Sequence, residues 1–412
     1  MNEEKMIELV AKKEYYSVTD LRYNKKLGIM MSGEQFTEFL DFKDRLVSEL
    51  PKLMNPLPLR SFNSKHIFYA NNLHMLSVYN EYLRIIVADL MTKQSLLFNR
   101  NIEDLIISRF FSEIEGSLNI ENVPTTRKRI AELHQKANPT DKNDVIIKNM
   151  IAAVEYIAKE KPEFNKENLR KLYSILSKDS LDAELCLKEG EYYRHDEVFI
   201  DSFEGAPPKL IDECMESLFS FANDPECIKK HSILLPYICH YYILYVHPYF
   251  DFNGRTARMV SFWLSYINDI AGAPLFMSEA INESKGDYYR ALTNTRITNN
   301  DLTYFLIYIL ETSIKYSFIY KNLEEIKEEL LKSGDTLTST EWGYVKKILI
   351  HNPDSYFNHK MFSAYIHSKI TKQGAIKILD NLTSYNILSK SKNRKNEIIY
   401  KFNQELITYR YN

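Results

Sequence analysis

Glycine and proline are scarce in this chain, 11 and 13 among 412 residues. Sandwiches and barrels rely on many turns built from those residues, so a chain short of both and rich in Leu, Ile, Lys and Glu favours helices. Cysteine is scarcer still. Cys186, Cys214, Cys227 and Cys239 include no Cys-x-x-Cys spacing, which argues against a zinc site or a disulfide framework. His240 and His247 stand seven apart without the glutamate of a zinc-binding helix. Neither a Gly-x-x-x-x-Gly-Lys-Ser/Thr loop nor a Gly-x-Gly-x-x-Gly turn occurs. No apolar run is long enough to cross a bilayer, and the opening Met1-Asn2-Glu3-Glu4-Lys5 lacks an apolar signal core. The expectation is a cytoplasmic protein with no membrane contact. A formal net charge of -2 carries no global nucleic-acid or acidic-substrate signal.

What the chain does have is concentrated in one run, His247-Pro248-Tyr249-Phe250-Asp251-Phe252-Asn253-Gly254-Arg255-Thr256-Ala257-Arg258. The stretch from Ile233 to Val246 is apolar and aromatic at helical spacing, which places His247 at the end of a buried helix with its ring toward the following loop. A histidine there takes a proton from a hydroxyl near neutral pH. Asp251 is a hard oxygen ligand, and Mg2+ commonly binds through one or two carboxylates plus phosphates. Asn253 is a good N-cap, and Gly254 lets backbone N–H groups approach a phosphate at the positive end of the helix it opens. Arg255 and Arg258, three apart on that helix, bracket a polyphosphate. Taken singly, any of these residues is more often structural, and Asn-Gly alone reads as a turn. In register they point to transfer of a phosphate-bearing group.

This run resembles the signature of the Fic (filamentation induced by cAMP) family, His-Pro-Phe-x-Asp/Glu-Gly-Asn-Gly-Arg-x-x-Arg. Tyr249 stands for the Phe and keeps an aromatic plug. Phe252 stands for the first Gly, where a bulky residue is disfavoured at positive φ and is expected to crowd the phosphate pocket. Upstream, Phe111-Ser112-Glu113-Ile114-Glu115-Gly116 resembles the family's inhibitory Ser/Thr-x-x-x-Glu-Gly/Asn motif, with Ser112 displaced by one. The resemblance implies that Glu115, followed by Gly116, pairs with Arg258 and blocks seating of the terminal phosphate. Gly190 to Arg194 with Val198 to Asp201 reads as a hairpin and resembles the family's target-registering flap, with Phe203 to Pro208 as the returning loop. Asp287 to Leu292 resembles the stretch whose tyrosine, here Tyr288 or Tyr289, lies beside adenine.

The expected architecture is mainly α: an N-terminal helical region (1–100), a helical Fic core with a short β-hairpin flap (101–320) holding the inhibitory-type segment near 111–116, a helical connector (321–335), and a winged-helix-like domain (336–412). Three helical patterns, Glu341 to Ile350, Asn358 to Ile366 and Thr371 to Tyr385, precede strands at Ile387-Leu388 and Ile398 to Tyr400. From Asp335 onward twelve Lys and Arg outnumber six Asp and Glu, a local charge of +6. That balance makes DNA a possible partner through Lys372 and Lys377 on the third helix and Lys390, Lys392, Arg394 and Lys395 on the wing. Protein binding or dimerisation is the alternative use of such a module.

The resemblance implies transfer of AMP from ATP, with Mg2+ on Asp251, to a Ser, Thr or Tyr hydroxyl of a protein target, the chain itself included. The chain would act as a homodimer if it follows the family's habit. His247 is the implied base, and Asn253, Gly254, Arg255 and Arg258 hold the phosphates. Two other readings stay open: a variant enzyme that moves another phosphate-containing group or removes AMP, and a nucleotide-sensing DNA-binding regulator without turnover.

Overall fold

A computed structural model of the chain describes residues 2–12, 15–24, 28–96, 102–135, 138–200, 203–268, 277–366 and 370–410, the side chains of 88–96 and 102–109 excepted. Among the described residues the regular structure is nineteen α-helices, two single-turn 3-10 helices (Ala183–Leu185 and Gln404–Leu406) and two small antiparallel hairpins, so the fold is mainly helical. The chain divides into two compact units, Met1–Ser313 and Ile314–Asn412.

The first unit opens with α1 (Glu3–Ala11), α2 (Val18–Tyr23), α3 (Gly33–Glu49) and α4 (Pro51–Met54). Met6, Leu9, Leu21, Phe39, Phe42 and Leu46 pack a core between them. Ser32 and Gln35 form a capping box that starts α3, and Pro51 ends it, because the residue before proline is pushed out of the α region. Next come α5 (Leu73–Leu96), α6 (Ile102–Ile120), α7 (Arg127–His134), α8 (Lys142–Glu160) and α9 (Lys166–Ser177). A hairpin follows, β1 (Phe199–Ile200) against β2 (Phe203–Glu204), and then α10 (Pro208–Asn223) and α11 (Pro225–His231). The unit is completed by α12 (Leu235–Val246), α13 (Asn253–Ile267), α14 (Met277–Glu283), α15 (Lys285–Ile297) and the first part of α16 (Thr303–Lys332).

The central element is α12. Every residue in it except Leu244 is buried, the all-round apolar character that marks a helix surrounded by others. It packs along α13, whose Trp263 is fully buried and donates its indole N–H to the Pro162 carbonyl at 2.9 Å. The α12–α13 junction carries the signature run.

The hairpin differs from the sequence expectation. Phe203 and Glu204 form its second strand rather than a return loop, Ile200 pairs with Phe203, and Gly190 to Arg194 is irregular. The physical reason is Arg194. Its side chain is buried and consumed by backbone carbonyls of three separate segments, a role that draws this stretch out of any ladder. Asp201, read as part of the hairpin, and Leu97, read as the end of the α5 helix, lie outside the described residues.

In the second unit, α17 (Ser339–His351), α18 (His359–Tyr365) and α19 (Lys372–Ser384) precede β3 (Leu388–Lys392) and β4 (Ile398–Phe402). A Thr338–Glu341 capping box starts α17, and Thr371 caps α19 by accepting from the Gly374 amide at 3.1 Å. The strands are longer than the sequence suggested, pairing from Leu388 with Phe402 to Lys392 with Ile398. Phe357 adds a one-residue bridge to Tyr400. Val345, Ile348, Phe362, Leu379, Leu382 and Phe402 form the core of this unit.

Candidate active site

His247 stops α12. It adopts the left-handed conformation (φ 54°, ψ 60°), its amide closes the helix on the Ile243 carbonyl at 2.8 Å, and Pro248 cannot continue the helical bonding. Burial, then the charges of Arg296 and Arg194, lowers its pKa to about 4, so the imidazole is neutral at physiological pH. Arg194 holds the histidine's backbone. It donates to the carbonyls of His247 (2.8 Å), Asp196 (2.5 Å) and Ala206 (2.6 Å), while its own amide donates to the Pro248 carbonyl (2.9 Å). Arg296 donates to the Leu244 carbonyl at 2.7 Å, at the same helix end. Sequence reasoning gave neither arginine this role: Arg194 was read only as part of the hairpin, and Arg296 belongs to no local pattern.

Asn253 is the first residue of α13 rather than its N-cap; Phe252 holds the cap position without a side-chain bond. The Asn253 amide instead closes the loop on itself, accepting from the Tyr249 N–H (3.0 Å) and donating to the Tyr249 carbonyl (2.8 Å). This pair of bonds shapes the loop.

Arg258 is buried, and its guanidinium donates to Ser117 Oγ (2.8 Å), to the Ser117 carbonyl (3.1 Å) and to Glu121 Oε1 (2.7 Å). The expected pairing with Glu115 is not formed. Glu115 accepts from Arg127 Nε at 3.1 Å, and Arg127 reaches on to Glu279 at 3.1 Å. Six residues turn an α-helix so that Glu115 and Glu121, the latter just past the end of α6, face directions about 120° apart, whereas Ser117 and Glu121, four apart, share a face. Gly116 serves a packing role: a Cβ there would lie 2.5 Å from the Ser278 carbonyl carbon and the Glu279 amide, so α6 and α14 cross backbone to backbone. Ser112 is buried in the same helix, and the hydrogen bonds of Arg258 go to Ser117 and Glu121 instead. The signal that finds the true partner is Ser117-Leu118-Asn119-Ile120-Glu121-Asn122, which meets the Ser/Thr-x-x-x-Glu-Gly/Asn pattern in register.

Glu121 also presses on the start of α13, where a Cβ added at Gly254 would lie 2.5 Å from its Oε1. A carboxylate thus occupies the positive end of that helix. Burial pushes the Glu121 carboxyl upward, but the Arg258 charge and hydrogen bond outweigh it and hold it below the usual range. Lys285 anchors the end of α6 by donating to the Ile120 carbonyl.

Phe252 takes the left-handed backbone a glycine would take (φ 66°, ψ 7°). The ring does not crowd the phosphate side. It is buried and lies flat on Arg255, the guanidinium carbon 3.4 Å from the ring centroid. Arg255 is buried beneath it, with Nε and Nη1 unpartnered and Asp251 3.9 Å from Nη2.

A cavity of about 510 Å³ opens over the loop, lined by His247, Asp251, Asn253, Gly254, Arg258 and Glu121 on one side and by Tyr288, Tyr289 and Arg296 on another. Arg255, expected to bracket the phosphates with Arg258, is not part of this lining, because Phe252 covers it. Tyr288 is buried and hydrogen-bonded to His240 Nε2 at 2.9 Å, while Tyr289 is partly exposed. Ile200 and Phe203 of the hairpin border the opening. Asp251 is half exposed on the cavity. No group of three metal-ligating side chains occurs among the described residues, so a cation here would depend on Asp251 and on oxygens brought by a ligand.

In the second unit Lys372, Lys377, Lys392, Arg394 and Lys395 are exposed. Lys390 is engaged internally: its ammonium lies 2.7 Å from Asp380 Oδ1, which also accepts from the Tyr400 hydroxyl at 2.7 Å. Its charge is balanced within the fold.

Residues 163–265, which contain the whole signature run, match the Fic/DOC family. The protein adenylyltransferase fic-1 of Caenorhabditis elegans is 27% identical over 151 residues, 36% of this chain and 28% of that protein. The protein adenylyltransferase Fic of Nematostella vectensis is 28% identical over 123 residues, 29% of this chain and 27% of that protein. The chain thus spans under a third of the length of these curated relatives. The crystal structure of a Fic family protein from Desulfovibrio desulfuricans G20 aligns with a TM-score of 0.49 at 16% identity, covering 81% of this chain and 97% of that one. No helix among the described residues is long and apolar enough to cross a membrane. With the signature run in place at the α12–α13 junction and the family match lying over it, residues 163–265 form a Fic/DOC family segment.

Proposed function

We propose that this protein transfers AMP from ATP to a hydroxyl of a protein target, and that Glu121 holds the activity in check. The observation that carries the reading is that one cavity gathers a neutral His247, the carboxylate of Asp251, the N-terminus of α13 and Arg258. His247 accepts the proton of the incoming hydroxyl as its oxygen forms a bond to the α-phosphorus. The bond from that phosphorus to the bridging oxygen breaks, and pyrophosphate leaves. The backbone at the start of α13 and the guanidinium of Arg258 stabilise the charge that develops on the phosphates, so positioning and electrostatics do most of the catalysis. Mg2+, arriving with the nucleotide, would bind Asp251 and neutralise phosphate charge. The aromatic wall of Tyr288 and Tyr289 suits the base, and the hairpin edge suits an extended target segment.

Glu121 opposes this arrangement twice over. It neutralises Arg258, and its carboxylate repels a phosphate from the same helix terminus. The second unit, with three helices followed by a hairpin and a charge of +6 from Asp335 onward, supports a winged helix that binds DNA through α19 and the hairpin tip.

The test is intact mass after incubation with MgATP, for the natural chain, His247→Ala, Glu121→Gly and the double variant. The expected result is a gain of AMP in Glu121→Gly, less or none in the natural chain, and none wherever His247 is absent. Incorporation of the γ-phosphate instead of the α-phosphate from labelled ATP would overturn nucleotidyl transfer in favour of phosphoryl transfer. A regulator without turnover would take up neither.

A further inference from the structure

The helix α5 carries apolar side chains on two opposite faces. Met75, Val78, Tyr82, Ile85 and Ile86 form the inner one: all are buried, and the Tyr82 hydroxyl lies 2.6 Å from that of Tyr237 on α12. On the outer face Leu73 is 62% exposed, Leu76 41% and Val87 49%, with Asn80 exposed and Leu83 partly buried between them. Residues 73, 76, 80, 83 and 87 are spaced three, four, three and four apart, the alternation that keeps one seam of a helix turned toward a second helix. Exposed apolar residues scattered singly are ordinary, but a seam about 21 Å long is a contact surface.

We propose that this seam is a self-association surface, occupied by α5 of a second copy of the chain. Asn80 selects that occupant. It stands in the middle of the seam, where an apolar partner would leave its amide unsatisfied, whereas a second Asn80 across a two-fold axis offers it a matching donor and acceptor. A single Asn in an apolar seam fixes the register and the number of helices at some cost in stability. The charge beside the seam suits a like partner. Arg84 pairs within its own helix with Glu81 at 2.9 Å, so two copies approach without repulsion from it. No seam residue lines the cavity, and the surface is independent of the transfer reaction.

Sedimentation equilibrium of the full-length chain without nucleotide, from about 1 to about 100 μM, tests this. A seam of this length is a small interface, so a reversible dimer with a Kd of about 10 μM is expected. Leu76→Glu and Val87→Glu change exposed positions and should leave the melting temperature in place, yet each is expected to raise Kd about tenfold, since the buried charge enters a two-fold interface twice. Leu331→Glu, at an exposed leucine on α16, leaves Kd unchanged. Asn80→Cys is expected to give a disulfide-linked dimer on mild oxidation, beyond the background of the natural chain with its exposed Cys186, and adding Leu76→Glu suppresses the link. A natural chain that stays monomeric to about 100 μM would overturn the proposal and leave the seam to a different protein. A dimer that neither Glu substitution weakens and that position 80 does not link would overturn it too, by placing the contact on another face.

Discussion

Glu121 Oε1 lies 2.7 Å from Arg258 Nη2, while Glu115, six residues earlier, faces Arg127. Arg258 is almost fully enclosed and Glu121 about one third exposed, so this pair is far less screened than a surface ion pair. Glu121→Gly is expected to raise the initial rate of AMP incorporation about tenfold, in line with typical coupling energies between sites. Glu115→Gly is expected to leave the rate near that of the natural chain. Activation by the Glu115 change and not by the Glu121 change would mean that the contact on Arg258 is not the inhibitory one.

The pH dependence follows from His247. A base acts in its deprotonated form, and a pKa lowered to about 4 keeps it deprotonated throughout the neutral range and down to weak acid. The transfer rate of the Glu121→Gly protein should therefore stay level from pH 8 to about pH 5.5, where a histidine with the ordinary value of about 6.5 would lose roughly tenfold. Using that variant keeps titration of Glu121 out of the profile. A half-maximal rate between about pH 6 and 7 would show that the enclosure of His247 does not set its basicity.

Arg194 joins three carbonyls that nothing else satisfies in the same way. Arg194→Met should cost about 3 kcal/mol of stability, because buried acceptors lose their donors. Arg194→Lys should recover little of it, since an ammonium lacks the planar fork that spans separate acceptors. Thermal melting of the three proteins measures this, and a melting temperature unchanged by the methionine would remove Arg194 from the role of clamp.

For DNA binding by the second unit, the internal pairing of Lys390 makes a distinction among the basic residues. Loss of Lys392, Arg394 or Lys395 by Ala substitution should each lower the salt slope of duplex binding by about 0.9 if it meets a phosphate. Lys390→Ala should lower it less, since that charge is shared with Asp380. Fluorescence anisotropy with a mixed-sequence duplex over a salt series reads both, and no salt-dependent binding by the full chain would assign the module to protein contacts.

Much of the site was legible because its information is local. His247, Asp251, Gly254 and Arg258 lie within one helix–loop–helix segment, and a short loop between two helices can place their side chains on few sides. The scarcity of glycine and proline and the apolar density of α12 likewise foretold a helical fold, since burial patterns are written in neighbouring residues. The segments that meet across long separations were not legible in this way. Glu121 was passed over for Glu115 although Ser117-Leu118-Asn119-Ile120-Glu121-Asn122 fits the inhibitory pattern in register; the folded helix, which turns Glu115 to Arg127 and Glu121 to Arg258, shows which of the two is the partner. Arg194 was read only as part of the hairpin and Arg296 carries no motif, and only folding brings their guanidiniums to the end of α12. Phe252 shows the division most plainly. Its position at a glycine-like turn was evident from the run itself, but the downward rotation onto Arg255 rather than into the phosphate pocket was decided by tertiary packing, which offered the ring a buried cationic face.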